Sequence, residues 1–259
     1  MRPVNQIPLA PESRRDLASR SKLFPNAGYW FIALLAFTVV GFWPSYFSGF
    51  FSAMSGNINR YHHAHAIVMT LWIAMLITQP FLIRSGRRSL HRKLGKASYF
   101  LFPLTVIVTY AMAHHGLRIW ATEIPSDVSG RAGNFALVNS IMLGFIIAYA
   151  LAIYYRTKAA MHARFMICTG LSLIGPSLGR VLDHAPQAVA NYRAVIEFGM
   201  IEFILLVLIL VERRRGQGNK AFPIMLAVFT GTQILLFTMP KTDIWRAVTA
   251  WYMQLPLTS

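Results

Sequence analysis

Seven apolar runs separated by short polar stretches dominate this sequence, at about residues 30–51, 64–83, 98–115, 134–155, 163–182, 194–211 and 221–240. Each is long enough to cross a bilayer as a helix, which takes about 20 apolar residues. In lipid every backbone polar group must bond internally, so a helix is the form such a run adopts. Seven spans consume about 140 residues, and a chain of 259 residues then has only short connections and no second folded domain. The expected fold class is an all-α integral membrane protein, a single bundle of seven transmembrane helices. Residues 1–29 are expected as a flexible basic arm, 30–240 as the transmembrane domain and 241–259 as an extracytoplasmic tail. The first run has the hydrophobicity of a secretory leader, but about 29 residues precede it, Pro44 lies inside it and no small-residue cleavage site follows. It reads as a retained span.

Charge decides orientation. Lys and Arg number 25 against 9 Asp and Glu, a formal +16, in a chain with only 13% charged residues. In a soluble protein such an excess points to a polyanion. Here 18 of the 25 basic residues fall before the first span or in the second-to-third, fourth-to-fifth and sixth-to-seventh connections. The positive-inside rule puts that side, and the N-terminus, in the cytoplasm and the C-terminus outside. The expected location is the cell inner (plasma) membrane, with the lipid bilayer as partner. No basic stripe with interleaved aromatics exists outside these loops, so nucleic acid is excluded as a partner.

A single cysteine, Cys168, excludes an internal disulfide framework and Cys-x-x-Cys chemistry. Redox or metal chemistry must then rest on His, Met and carboxylates. His62, His63, His65, His114, His115 and His184 fall at the extracytoplasmic ends of spans, and His91 and His162 at cytoplasmic ends. His62 and His65 share a helix face, whereas His63 and His65 point about 200° apart. An interfacial histidine ordinarily reaches a headgroup or a neighbouring carbonyl, but imidazole is also the commonest ligand for transition metals, and two facing imidazoles suit a b-type haem iron. His65 and His115 are the first-choice pair, with His62 and His114 in reserve. His184, Asp183 and Glu197 at the same depth would instead suit a non-haem metal ion. His91 and His162 form a candidate second pair below. Glu202 lies in the middle of the sixth span, where a carboxyl is costly and functional by default. It is the candidate catalytic group, for proton transfer or for bonding a cofactor or quinone headgroup.

The combination of His63-x-His65 before a Trp-containing span, Gly86-Arg-x-x-Leu-His91-Arg-x-Leu-Gly95, and His162-x-Arg164-Phe-Met166 resembles a group of bacterial multi-pass membrane proteins catalogued as a domain of unknown function. The resemblance covers about residues 60–183 and implies a multi-pass membrane location without a defined activity. More remotely, His pairs on successive helices at opposite faces are similar to the dihaem transmembrane b-type cytochromes. His91 and His115 lie 24 residues apart on one span and the outer histidines are doubled, so no haem ligand carries over residue by residue.

The last span contains no lysine for retinal, and the histidines lack the spacing and side of membrane di-iron oxygenases. No phosphate loop, Ser-His-Asp order or HExxH motif occurs. The expected function is a membrane-embedded redox or metal-binding protein, with haem b or a non-haem metal near the extracytoplasmic face and a quinone or a redox protein as partner. A small permease or ion carrier using the same His/Glu path, and a structural or assembly subunit of a membrane complex, are the alternatives.

Overall fold

The computed structural model describes residues 24, 26–51, 59–190 and 192–258. All but the end of the arm expected over 1–29 lies outside them, including Arg2, Arg14, Arg15, Arg20 and Lys22. Among the described residues the regular structure is helical throughout: α1 (Ala27–Phe42), α2 (Arg60–Arg84), α3 (Arg88–Glu123), α4 (Val128–Tyr154), α5 (Ala159–Leu171), α6 (Ile174–Leu182), α7 (Gln187–Ala190), α8 (Arg193–Arg214), α9 (Ala221–Thr238) and α10 (Asp243–Gln254). Seven helices are long and apolar enough to cross a membrane: α1 with its continuation to Phe47, α2, α3, α4, α5 with α6, α8, and α9 with its continuation to Lys241. Side chains turned outward from the bundle are largely apolar, among them Trp30, Phe100, Ile107, Phe203 and Ile234. A surface of that kind suits hydrocarbon rather than water.

Proline explains most of the irregularities. Pro44 has no N–H to donate, and α1 widens there into a π-turn over Trp43–Phe47. The Ser48 hydroxyl donates to the Pro44 carbonyl at 2.9 Å. Pro176 removes a bond from the fifth span, which breaks into α5 and α6. Polar segments expected to be loops proved to be helix. α3 runs 36 residues, from Arg88 to Glu123, a length of about 54 Å against a hydrocarbon core of about 30 Å. Hydropathy reports where lipid ends, and no breaker stops this helix before Pro125. The connection expected over 118–133 is thereby reduced to Ile124–Asp127, where Arg131 donates to the carbonyls of Ile124 and Pro125. The tail expected over 241–259 contains α10, an amphipathic helix capped by Thr242 and packed against α3 and α4.

The two ends of the bundle differ. One, the basic end, carries the connections 85–87, 155–158 and 215–220; the other, the histidine end, carries His62, His63, His65, His114, His115 and His184. Between them the core is closed by closely packed rings. Trp72, fully buried, lies 4.9 Å from Phe145 and 5.5 Å from Tyr149, and Phe102 lies 4.2 Å from Tyr149. Nearer the basic end, Phe165, Phe222 and Met225 join α5 to α9.

Close backbone approach holds α1 to α6. A Cβ on Gly41 would stand 2.5 Å from the Ser177 carbonyl oxygen, and the Thr38 and Ser177 hydroxyls are 3.0 Å apart. Backbone cannot yield as a side chain can, so Gly41→Ala is expected to destabilise the protein by about 1–3 kcal/mol. Gly133→Ala, where a Cβ meets nothing within 4 Å, is expected to be neutral or stabilising by up to about 1 kcal/mol. Thermal midpoints of the two variants in the same detergent test the contrast.

Candidate functional site: an imidazole cluster at the histidine end

Asn59 organises the start of α2. Its side-chain oxygen accepts from the backbone N–H of Tyr61 and of His62, capping the helix. The same oxygen lies 2.9 Å from His62 Nδ1. An oxygen facing so many donors must be an acceptor, so His62 carries its proton on Nδ1 and presents a lone pair at Nε2. His65, one turn further on, is fixed in the same way. Its Nδ1 lies 3.2 Å from Thr109 Oγ1 on α3, and the Thr109 hydroxyl proton is given to the Thr105 carbonyl at 2.7 Å. Thr109 is then the acceptor, His65 the donor, and His65 Nε2 the free lone pair. Two half-buried imidazoles on one face thus have the tautomer that nitrogen ligands need, each oriented by a hydrogen bond from its other nitrogen.

The doubled histidines of α3 separate. His115 stays with this cluster: its ring centroid is 4.7 Å from that of Tyr61, and the Arg60 guanidinium lies 5.0 Å from the far partner of that stack, the Tyr61 ring. His114 turns towards the C-terminal segment. It is wholly buried, its Nδ1 shares a 2.6 Å hydrogen bond with the Thr258 hydroxyl, and Tyr252 stands edge-on at 5.2 Å. Tyr110 and Arg118, a turn either side of His114, bind the same segment. The Tyr252 hydroxyl donates to the Tyr110 carbonyl and Arg118 donates to the Thr258 carbonyl. Burial pushes the Tyr252 phenol up, which keeps it a neutral donor. His114 therefore acts as a clasp for the C-terminal segment.

The other expected site residues make no hydrogen bond to this cluster among the described residues. Asp183 and Glu197 are both engaged by Arg193, whose Nη1 donates to Asp183 and whose Nε is 3.6 Å from Glu197. A guanidinium between two carboxylates takes the positive charge that a metal would otherwise supply. His184 is exposed nearby. Glu202 accepts from the Thr230 hydroxyl at 2.9 Å, between α8 and α9 and away from Glu197. At the basic end, His162 Nδ1 donates to the Ala152 carbonyl at 2.8 Å and Gln79 Nε2 to the His91 carbonyl at 3.3 Å.

Thr109, Asn59 and the Tyr110–His114–Arg118 stripe were not anticipated as partners. The recurrence of Ser98, Thr105 and Thr109 at spacings of seven and four, a polar stripe in an apolar span, is the signal that marks the inner face of α3. The neutral imidazoles fit a transition-metal ion in donor chemistry. No group of three or more His, Cys, Asp or Glu side chains among the described residues gathers to hold an ion by itself. Two cavities stand out, an open groove of about 530 Å³ along α2 at the basic end and one of about 200 Å³ between α3, α4 and α9, and neither is lined by histidine. The second is also smaller than the about 300 Å³ at which ligand pockets begin. Comparison with protein-family models, with curated proteins and with solved structures gives no match.

Proposed function

We propose that this chain is a membrane redox protein that binds a transition-metal ion through His62 and His65, with His115 beside them, at the extracytoplasmic face. The observation that carries the reading is the pair of imidazoles one turn apart, each with Nδ1–H held by an acceptor and Nε2 presented as a lone pair. Two protein nitrogens leave the remaining coordination positions to water or to the molecule that exchanges electrons with the metal. The orientation follows the basic end, which the positive-inside rule puts in the cytoplasm. Redox chemistry is favoured over ion transport by the ring-packed centre around Trp72, Phe102, Phe145 and Tyr149. An ion needs a solvated path, whereas an electron crosses packed protein. Glu202, held by Thr230, is the candidate for accompanying proton transfer.

Metal analysis of the purified protein together with a reduced-minus-oxidised optical spectrum tests this. About one copper, iron or zinc per chain is expected, without a haem Soret band. A metal-free protein that also fails to bind added copper, iron or zinc would overturn the reading. Zinc as the sole occupant would retain the site and remove its redox role, because zinc has no accessible second oxidation state.

A further inference from the structure

The last turns of α2 and the connection after it form the groove of about 530 Å³ at the basic end, lined by Thr78, Phe81, Leu82, Arg84, Ser85 and Arg87. That volume exceeds the about 300 Å³ at which ligand pockets begin. Its apolar and charged linings follow one another along the chain. Phe81 and Leu82 belong to a helix long and apolar enough to cross a membrane, whereas Arg84 ends that helix and Arg87 lies in the connection. The hydrogen-bonding capacity left open in the groove is that of a donor. The Thr78 hydroxyl gives its proton to the Ala74 carbonyl at 2.7 Å and the Ser85 hydroxyl to the Leu82 carbonyl at 3.2 Å. Arg84 makes one side-chain hydrogen bond, from Nη1 to the Tyr29 hydroxyl at 3.4 Å, and its guanidinium lies 5.7 Å from the Tyr29 ring. Its other guanidinium N–H groups, and all those of Arg87, have no partner among the described residues.

No carboxylate balances these arginines. Glu212, the described carboxylate at this end, is held by Arg164, and no ion pair among the described residues includes Arg84 or Arg87. Exposed Arg88 and Arg92 follow at the start of α3 and add to the same field. Two guanidiniums without counter-ions call for an anion, and phosphate oxygens match their planar fork of donors. The apolar lining decides which anion. Because α2 ends here, the groove lies where hydrocarbon gives way to headgroups, the level at which basic pockets take lipid phosphates. Inorganic phosphate would use the arginines alone. An amphiphile whose phosphate meets Arg84 and Arg87 and whose acyl chain follows Phe81 into hydrocarbon uses both linings.

We propose that this groove binds one anionic glycerophospholipid from the leaflet at the basic end, its phosphodiester held by Arg84 and Arg87 and the start of an acyl chain lying along Phe81. A zwitterionic lipid presents the same phosphate with a cation attached, which the unbalanced arginines repel. The groove therefore selects a headgroup of net negative charge, such as that of phosphatidylglycerol. This inference goes beyond the metal reading and rests on no residue of the histidine end.

The test is native mass spectrometry of the full chain released from a non-ionic detergent after titration with phosphatidylglycerol, with phosphatidylcholine of the same acyl chains, or with glycerol phosphate. One phosphatidylglycerol retained per chain is expected, with phosphatidylcholine at least about tenfold weaker, a difference of about 1.4 kcal/mol, and glycerol phosphate not retained. Arg84→Gln combined with Arg87→Gln is expected to weaken phosphatidylglycerol binding by about tenfold or more. Arg213→Gln combined with Arg214→Gln removes the same charge from exposed positions at the end of α8, and is expected to leave binding near that of the parent. Since Arg84 also bonds Tyr29, Arg87→Gln alone serves where the double variant unfolds; it is expected to cost about fivefold at an unchanged thermal midpoint. Equal retention of the two lipids, equal loss in the two double variants, or no retained lipid would overturn the proposal and leave only a diffuse basic surface. Glycerol phosphate bound as tightly as the lipid would overturn it in favour of a free-phosphate site. Because no metal takes part in this titration, its failure is separate from any failure of the metal site.

Discussion

Arg164→Leu is expected to destabilise the protein by about 3–5 kcal/mol, the cost of leaving one member of a buried ion pair without its partner. Arg164 and Glu212 are only 2% and 7% exposed in their side chains, and Arg164 Nε donates to Glu212 Oε1 at 2.7 Å. Arg164 also donates to the Ala160 and Gln217 carbonyls and lies 5.2 Å from the Phe24 ring and 6.0 Å from that of Phe222. It therefore joins α5, the end of α8, the start of α9 and Phe24, three residues before α1. Removing it strands a buried carboxylate and opens a hole between two rings. The double variant Arg164→Leu with Glu212→Leu removes both charges and is expected to recover much of the loss. Equilibrium unfolding in mixed micelles measures all three variants. A double variant no more stable than Arg164→Leu alone would show that the lost contacts, and not the stranded charge, carry the effect.

His65→Ala is expected to lower metal affinity by at least about 100-fold, since one of only two oriented nitrogens is lost, a change of about 2.7 kcal/mol. Thr109→Val is the more discriminating substitution. It keeps the shape of the side chain and removes the acceptor that holds the His65 Nδ1 proton, and loss of such a partner typically costs about 10–100-fold in affinity. His114→Ala is expected to spare the metal and to loosen the C-terminal segment, because His114 bonds Thr258 and not the cluster. Competition against a chelating dye reads the affinities, and limited proteolysis reads the release of the segment. Metal loss on His114→Ala with unchanged affinity in Thr109→Val would reverse the assignment of ligand and clasp.

Much of the fold is legible in the sequence. The spacing of the apolar runs is enough to place seven spans, because lipid offers a backbone no partner outside its own helix. Pro176 accounts for the break in the fifth span, because it lacks the N–H that a continuous helix would use. The continuation of α3 into polar sequence at both ends was hidden, since Arg, Lys and Leu are good helix formers whether or not lipid surrounds them. The site is less legible. His62 and His65 share a face by simple periodicity, but adjacency in sequence gives no hint that His114 and His115 part company, because residues one apart point about 100° apart on a helix. The Arg164–Glu212 pair joins residues 48 apart across two spans, and a formal charge count treats both as loop charges.

The sequence by itself determined that this chain is a helical, multi-pass bundle with its basic residues gathered mostly in alternate connections, because burial of backbone and charge in hydrocarbon is governed by local composition. Only the tertiary structure decided which atom each imidazole nitrogen bonds, which histidine clasps the C-terminal segment and which polar atoms are left open. Each of those outcomes depends on the atom that a second helix brings to the imidazole: Thr109 for His65, Thr258 for His114, and for His91 Nδ1 none among the described residues.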